Sequence, residues 1–248
     1  MTLKRFNADL HIHTCLSPCA DLTMSPKRVV ERAQAKGLDI IAITDHNSAE
    51  NVQAAMTVGE KAGIFVLAGM EITSEEEVHL LALFDNMESV LSIQEEVYRN
   101  LPGENQSEIF GEQIVANEDD EVESFNLRLL IGATTIPLVG WVNRIHEAKG
   151  LAVASHVDRE AFGLFGQLGF VPPGLKLDAM EWVSESIDKI MKVDSNASKY
   201  PAIRSSDAHR LTDIGRRRTM LLIGEPSIVE IDLAFRGLKG RKYMEASS

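Results

Sequence analysis

Short apolar runs recur along this chain. They alternate with stretches in which apolar residues return every three or four positions. The runs predict strands over 8–12, 38–44, 64–72, 78–84, 151–155, 177–182, 202–206 and 220–223. Their lengths and β-branched content suit strands buried on both faces, as in IIAIT and LAVAS. The intervening periodic stretches predict helices over 25–36, 49–62, 137–149 and 227–238. The first opens on Ser25-Pro26, a helix start, and three of them run up to Gly37, Gly63 and Gly150. Alternating strands and helices of this kind imply a mostly parallel sheet covered by helices. Residues 86–130 break the rhythm. They begin with a helical pattern, MESVLSIQEEVYRN, then pass through Pro-Gly into the acidic run NEDDEVE. This stretch has too little apolar content for a core of its own. It is expected to be an insertion or lid within a single domain spanning 1–248.

Composition narrows the class. The chain has 248 residues, 44% of them hydrophobic, and a net charge of −12. That length accommodates an α/β barrel as one domain. Proteins that grip duplexes neutralise phosphates with Lys and Arg, so the charge argues against nucleic acid as the main partner while leaving room for a small phosphorylated substrate held by a local positive site. The first ten residues are too polar for a signal peptide, and no apolar run approaches the length of a membrane span. A cytoplasmic protein with no membrane partner is expected. The two cysteines, Cys15 and Cys19, are then thiols rather than a disulfide.

The chemistry gathers at predicted strand ends, where parallel α/β folds place ligands. The first strand ends in His11 and His13, the second in Asp45 and His46. The third carries Glu71, the fifth ends in His156, and a later one ends in Asp207 and His209. Two residues apart on an extended chain, His11 and His13 leave the same face and can reach one ion. His79 begins its strand, but EITSEEEVH is too short for a parallel crossover. A hairpin centred near Glu75 would set Glu71 and His79 opposite one another. Six of the seven histidines can thus converge on one rim with carboxylates, the donor set of divalent Zn, Fe or Mn. The remaining one, His146, lies inside a helical pattern and reads as structural.

In order, DLHIHT, ITDH, GME, SH and SDAH resemble the motifs of the polymerase-and-histidinol-phosphatase (PHP) domain family. The resemblance covers nearly the whole chain. It implies a distorted (β/α)7 barrel, TIM-like, with two or three divalent metal ions at the carboxyl rim and phosphoester hydrolysis as the usual activity. Carried over, the first metal would be held by His11, His13, Glu71 and Asp207. Glu71 would bridge to a second held by His79 and His156. A third would take His46, His209 and one ligand from the loop after His13. Some members have a histidine there where this chain has Cys19; others use an aspartate, and Asp21 is available. Cys15 reads as a packing residue. Asp9 and Asp45 are expected behind the ligands, accepting the second N–H of a ligating imidazole.

Two close dications acidify a bridging water and clamp phosphoryl oxygens, so no serine or cysteine nucleophile is needed. Arg159, Arg210 and Arg216 are the candidates for binding the substrate phosphate, since guanidinium matches phosphate geometry. The leading expectation is a metal-dependent phosphoesterase acting on a small phosphorylated metabolite. The alternatives are a metal-dependent nuclease, a metal-dependent amidohydrolase and a non-catalytic metal-binding module on the same fold.

Overall fold

The structure, a computed structural model, describes residues 2–184 and 194–245. Its strands are β1 (Lys4–Ile12), β2 (Ile40–Ile43), β3 (Phe65–Thr73), β4 (His79–Phe84), β5 (Ile114–Ala116), β6 (Val122–Phe125), β7 (Leu151–Ala154), β8 (Ala179–Glu181), β9 (Ala202–Ile203), β10 (Thr219–Ile223) and β11 (Lys242–Glu245). The helices are α1 (Pro26–Ala35), α2 (Val52–Ala62), α3 (Met87–Asn100), α4 (Ser107–Phe110), α5 (Leu138–Glu147), α6 (Leu164–Leu168) and α7 (Ile228–Phe235). Nine strands form one sheet in the order β11-β10-β1-β2-β3-β4-β7-β8-β9. The run from β1 to β9 supplies the seven strands of the distorted barrel. An isolated bridge from Ile12 to Ala208, just beyond β9, brings it nearly to closure.

β1, β2 and β3 are parallel, and so are β7, β8 and β9. β4 runs antiparallel to both of its neighbours. Its first residue therefore lies at the rim where the parallel strands end. The expected hairpin is present, but its register differs. Thr73 faces His79 and Glu71 faces Leu81. The turn over 74–78 closes through Ser74 N–H to Val78 O at 3.0 Å, with Glu77 in the left-handed region. The centre thus falls one residue later than Glu75. A strand's side chains alternate with period two, so Glu71 and His79 still share a face, as a diagonal pair.

The two faces of the sheet bury different clusters. One holds Val66, Ala68, Met70 and Ile72 of β3 with the buried sides of α1, α2, α3 and α5. The other holds Leu10, Ile40, Ala42, Leu67, Leu81, Leu83, Val153, Ala179 and Ile203, with α7 packed on it. This second face is the barrel interior. Its apolar columns end, toward the rim, in Glu71 on β3, His79 on β4 and Glu181 on β8. β1 joins them through an irregularity. Its register against β2 shifts between Asp9 and Ile12, which lets Leu10 and then His11 and His13 all serve the interior while Ile12 joins the helix-covered face.

Residues 86–130 divide in two. α3 buries Val90, Ile93 and Val97 in the helix-covered core. Beyond it, β5 and β6 form a separate hairpin, tied to the loop after β1 by Ile114 N–H to Cys15 O at 2.9 Å. Among the described residues no helix is long and apolar enough to cross a membrane.

Gly150, between α5 and β7, marks a tight packing point. A Cβ there would lie 2.3 Å from the buried Phe84 ring and 2.8 Å from Leu83 O. Gly150→Ala is expected to destabilise the fold by about 1–3 kcal/mol through overpacking. A urea midpoint equal to that of the parent would refute this.

Candidate metal centre

Six histidines and two carboxylates meet at the barrel rim. Glu71 is at their middle. Its Oε1 lies 3.3 Å from His11 Nε2, 3.1 Å from His79 Nδ1 and 3.2 Å from His156 Nε2. Its Oε2 lies 3.1 Å from His46 Nδ1 and 3.5 Å from His13 Nε2. Asp207 Oδ1 stands 3.2 Å from His11 Nε2 and 3.3 Å from His13 Nε2. Three groups have ligand atoms close enough to share an ion: His11, His13 and Asp207; His46, Glu71 and His79; and His13, His46 and His209. The structure thus sets His46 beside Glu71 and His79 as well as beside His209. Loops bring the last ligands into place by unusual backbone. His156 and Asp207 both have positive φ, 27° and 50°, a strain of the kind that concentrates at functional sites.

Several of these atoms are close without being hydrogen-bonded. Glu71 Oε1, His46 Nδ1, His79 Nδ1 and His156 Nδ1 are buried and have no aligned hydrogen-bond partner. His11 Nε2 and His13 Nε2 face one another at 3.2 Å. Buried polar atoms left in this way are costly, and nitrogen and carboxylate lone pairs converging on common points are the donor set of a divalent cation. The residues therefore fit the metal group. Their protonation is divided. Burial holds His13 well below the usual histidine range and His79 down to about 4. Burial also opposes the charge on His11 and His46, but Glu181, Glu71 and Asp207 outweigh it and raise His11 well above that range, and Cys19 and Glu71 raise His46 to about 10. Burial opposes the charge on Glu71, but His79 and His11 outweigh it and keep the carboxyl well below its ordinary range.

The residues behind the ligands are not the expected ones. Glu181, at the carboxyl end of β8, accepts from His11 Nδ1, at 3.0 Å to Oε2 and 3.2 Å to Oε1. This is the carboxylate–imidazole–metal arrangement that fixes a ligand's tautomer. The strand-end rule used for the other ligands would have found Glu181 in LDAMEWV had it been applied there. Asp9 and Asp45 accept from no histidine, which corrects the expectation for both. Asp9 points out of the barrel and takes the backbone N–H of Ser206 and Gly215, each at 2.9 Å. Asp45 takes Thr14 N–H at 2.6 Å and Ser17 Oγ–H at 2.6 Å. Ser17 Oγ lies 2.9 Å from His13 Nδ1, so Asp45 steadies His13 only through Ser17.

The loop after β1 offers its two candidates differently. Cys19 is exposed, and against a partial loss of solvent His209 and His46 lower its thiol to about 6. The Asp21 carboxylate instead caps its own loop, accepting Thr23 N–H at 2.8 Å, and neither residue joins the three groups. Cys15 is buried, unpaired and pushed up to about 12 by that burial. Of the arginines, Arg159 reaches the centre, its guanidinium 2.6 Å from Asp207 Oδ2. Arg210 is exposed beside His209. Arg216 is not brought to the rim. Its neighbour Gly215 packs against Lys36 and Leu38, near the opposite end of β2. His146 also lies away from the rim, paired with Asp178 at 2.8 Å. Glu181→Gln should weaken metal binding about 10–100-fold while leaving the fold intact. Competition with a chelating indicator measures it, and an unchanged affinity would show that Glu181 does not orient His11.

Comparison with known proteins places this geometry. Over 80 residues the chain is 31% identical to a phosphoribosyl 1,2-cyclic phosphate 1,2-diphosphodiesterase from Eggerthella lenta, covering 30% of this chain and 29% of that protein. Over 78 residues it is 32% identical to a 5'-3' exoribonuclease from Haemophilus influenzae, covering 30% and 27%. The chain thus matches less than a third of the length of either relative. Among solved structures, the lesion-specific endonuclease PfuEndoQ from Pyrococcus furiosus shares the fold, with a TM-score of 0.73 at 18% identity, over 97% of this chain and 58% of that one. Endonuclease Q in complex with a 27-mer duplex bearing an abasic lesion superposes with a TM-score of 0.69 at 19% identity, over 96% and 58%. These findings overturn the expectation that nucleic acid is not a main partner. A chain of this fold handles duplex DNA, and a sequence relative is an exoribonuclease. The family profile described as PHP domain matches residues 9–193, from the first barrel strand through the carboxylate behind His11, and the chain belongs to the PHP domain family.

Proposed function

We propose that the protein is a metal-dependent phosphoester hydrolase acting on a pentose-bearing phosphoester, in a nucleotide or a nucleic acid. The observation that carries the reading is Glu71, a buried carboxylate ringed by imidazole nitrogens with which it makes no aligned hydrogen bond through Oε1. His11, His13, Glu71 and Asp207 would hold one divalent ion, and Glu71, His79 and His156 a second. His46, His209 and Cys19 would hold a third. Zn, Fe and Mn all suit imidazole and carboxylate ligands. Such ions, when bound, polarise phosphoryl oxygens and acidify water. The substrate class rests on what the relatives have in common. One is named for a phosphoribosyl cyclic phosphate and another for RNA hydrolysis.

The chain's own residues supply the rest. Glu181 keeps His11 in one tautomer, and Ser17 keeps His13 oriented. Arg159 is held over the centre by Asp207. That cation is placed to take phosphoryl oxygens with its remaining N–H groups. A non-catalytic metal module would keep the ligands and need no such guanidinium at the centre.

Hydrolysis of bis(p-nitrophenyl) phosphate and p-nitrophenyl phosphate by metal-loaded protein tests the reading. Turnover should vanish on chelation and return with Mn or Zn. Glu71→Gln should lose bound metal and at least about 100-fold in turnover. Arg159→Ala should raise KM about tenfold with the metal content unchanged. Turnover that survives complete removal of metal would refute the assignment, and metal binding without turnover would favour the non-catalytic module.

A further inference from the structure

One loop straddles the centre and carries a feature that metal binding does not require. Residues 156–163 run from His156 past Arg159 to Phe162. Arg159 leans on Asp207 at one side. At the other, the Phe162 ring lies on the His79 ring, with centroids 4.5 Å apart and planes at 16°. His79 N–H also donates to Phe162 O at 3.0 Å. Phe162 has a φ of 60°, in the left-handed region that bulky residues avoid. Even so, 38% of its surface is exposed.

The loop is built to keep this arrangement. A Cβ on Gly163 would lie 2.3 Å from Arg159 O and 2.9 Å from His156 O. Arg159 N–H donates to His156 O, and Phe165 N–H donates to Val157 O. Asp158 takes the backbone N–H groups of Val183 and Ser184. An aromatic ring held in a strained backbone, with one face on a ligand and open surface beside it, is poorly explained by core packing. It is suited to stacking, because every nucleobase offers a π-face to an aromatic side chain.

We propose that Phe162 is a positioning residue that stacks the base of a nucleoside phosphate whose phosphoryl group lies between Arg159 and the candidate metal ligands around Glu71. The inference rests on the phosphoester reading above and adds the recognition of the base to it. Loop 156–163 then measures substrate at two points, charge at Arg159 and planarity at Phe162. A purely structural ring would shield His79 and discriminate nothing.

Calorimetric binding to the Mn-loaded protein separates these roles with three probes: adenosine 5'-monophosphate, ribose 5-phosphate and inorganic phosphate. The parent should bind the nucleotide about tenfold more tightly than ribose 5-phosphate, as one stacked base allows. Phe162→Leu retains an apolar cover on His79. It should erase that preference while leaving ribose 5-phosphate affinity and metal stoichiometry unchanged. Phe162→Trp should retain the preference. A parent with no preference for the nucleotide would overturn the proposal, as would a preference that survives in Phe162→Leu. Equal weakening of all three probes would overturn it in favour of ring support for His79. If neither ribose 5-phosphate nor inorganic phosphate binds the Mn-loaded parent, the phosphoester reading falls and takes this inference with it.

Discussion

A carboxylate buried among imidazoles is the constraint on which this structure depends. Glu71 is about as far from solvent as a side chain can be, 1% exposed, and it has nitrogens of five histidines within 3.5 Å. An isolated charge there would pay a large desolvation penalty. The surrounding rings offset it electrostatically, but they leave Oε1 without a directed hydrogen bond. Nor can every ring protonate, since burial drives His13 and His79 toward the neutral form. The lone pairs of those neutral rings beside a fixed anion favour a cation, and the barrel is organised to present them.

The presentation follows from strand geometry. Each interior column is apolar for most of its length and switches to a ligand only near the rim. Leu67 leads to Glu71 and Ala179 to Glu181, each on a single strand face. β4 achieves the same result in reverse, because an antiparallel strand puts its first residue where parallel neighbours put their last. β1 needs a further device. Without its register shift, Leu10 and His11 would leave opposite faces, and the strand could not both fill the barrel and supply ligands. The bulge reconciles the two demands within four residues.

This explains how much the sequence could reveal. The ligand-bearing strand ends were legible because their polar residues interrupt apolar runs, and the DLHIHT and SDAH spacings mark an extended chain. The hairpin between β3 and β4 was legible from its short spacer, but its register depended on Glu77 adopting a left-handed turn, which composition does not announce. Asp9 could not be placed, because the bulge changes which face follows it and turns its carboxylate toward Ser206 and Gly215. Glu181 was legible as a strand-end carboxylate, but its partner was not. It stands alone in its strand with no histidine beside it, and its role appears only when β8 is set next to His11, some 170 positions earlier in the chain. Arg216 looked plausible from its proximity in sequence to SDAH, yet it is exposed and its neighbour Gly215 lies beside Lys36 and Leu38, before β2 begins.

The failure of the charge argument has a physical cause of its own. Net charge is a sum over the whole surface, whereas a phosphate at the rim responds to what lies within roughly a Debye length, about 8 Å in physiological salt. The 37 acidic residues are counted over the whole chain, and most of those in the NEDDEVE run are exposed, where salt screens them. Inside it, two dications would outweigh Glu71, Asp207 and Glu181, and Arg159 adds to them. The local sign can therefore be positive in an acidic protein. A metal centre also needs no extended basic track to hold a phosphodiester, because its grip is concentrated on the scissile group. What an acidic surface changes is the approach. It removes long-range steering toward a polyanion and leaves selectivity to short-range contacts at the rim, the role proposed above for loop 156–163.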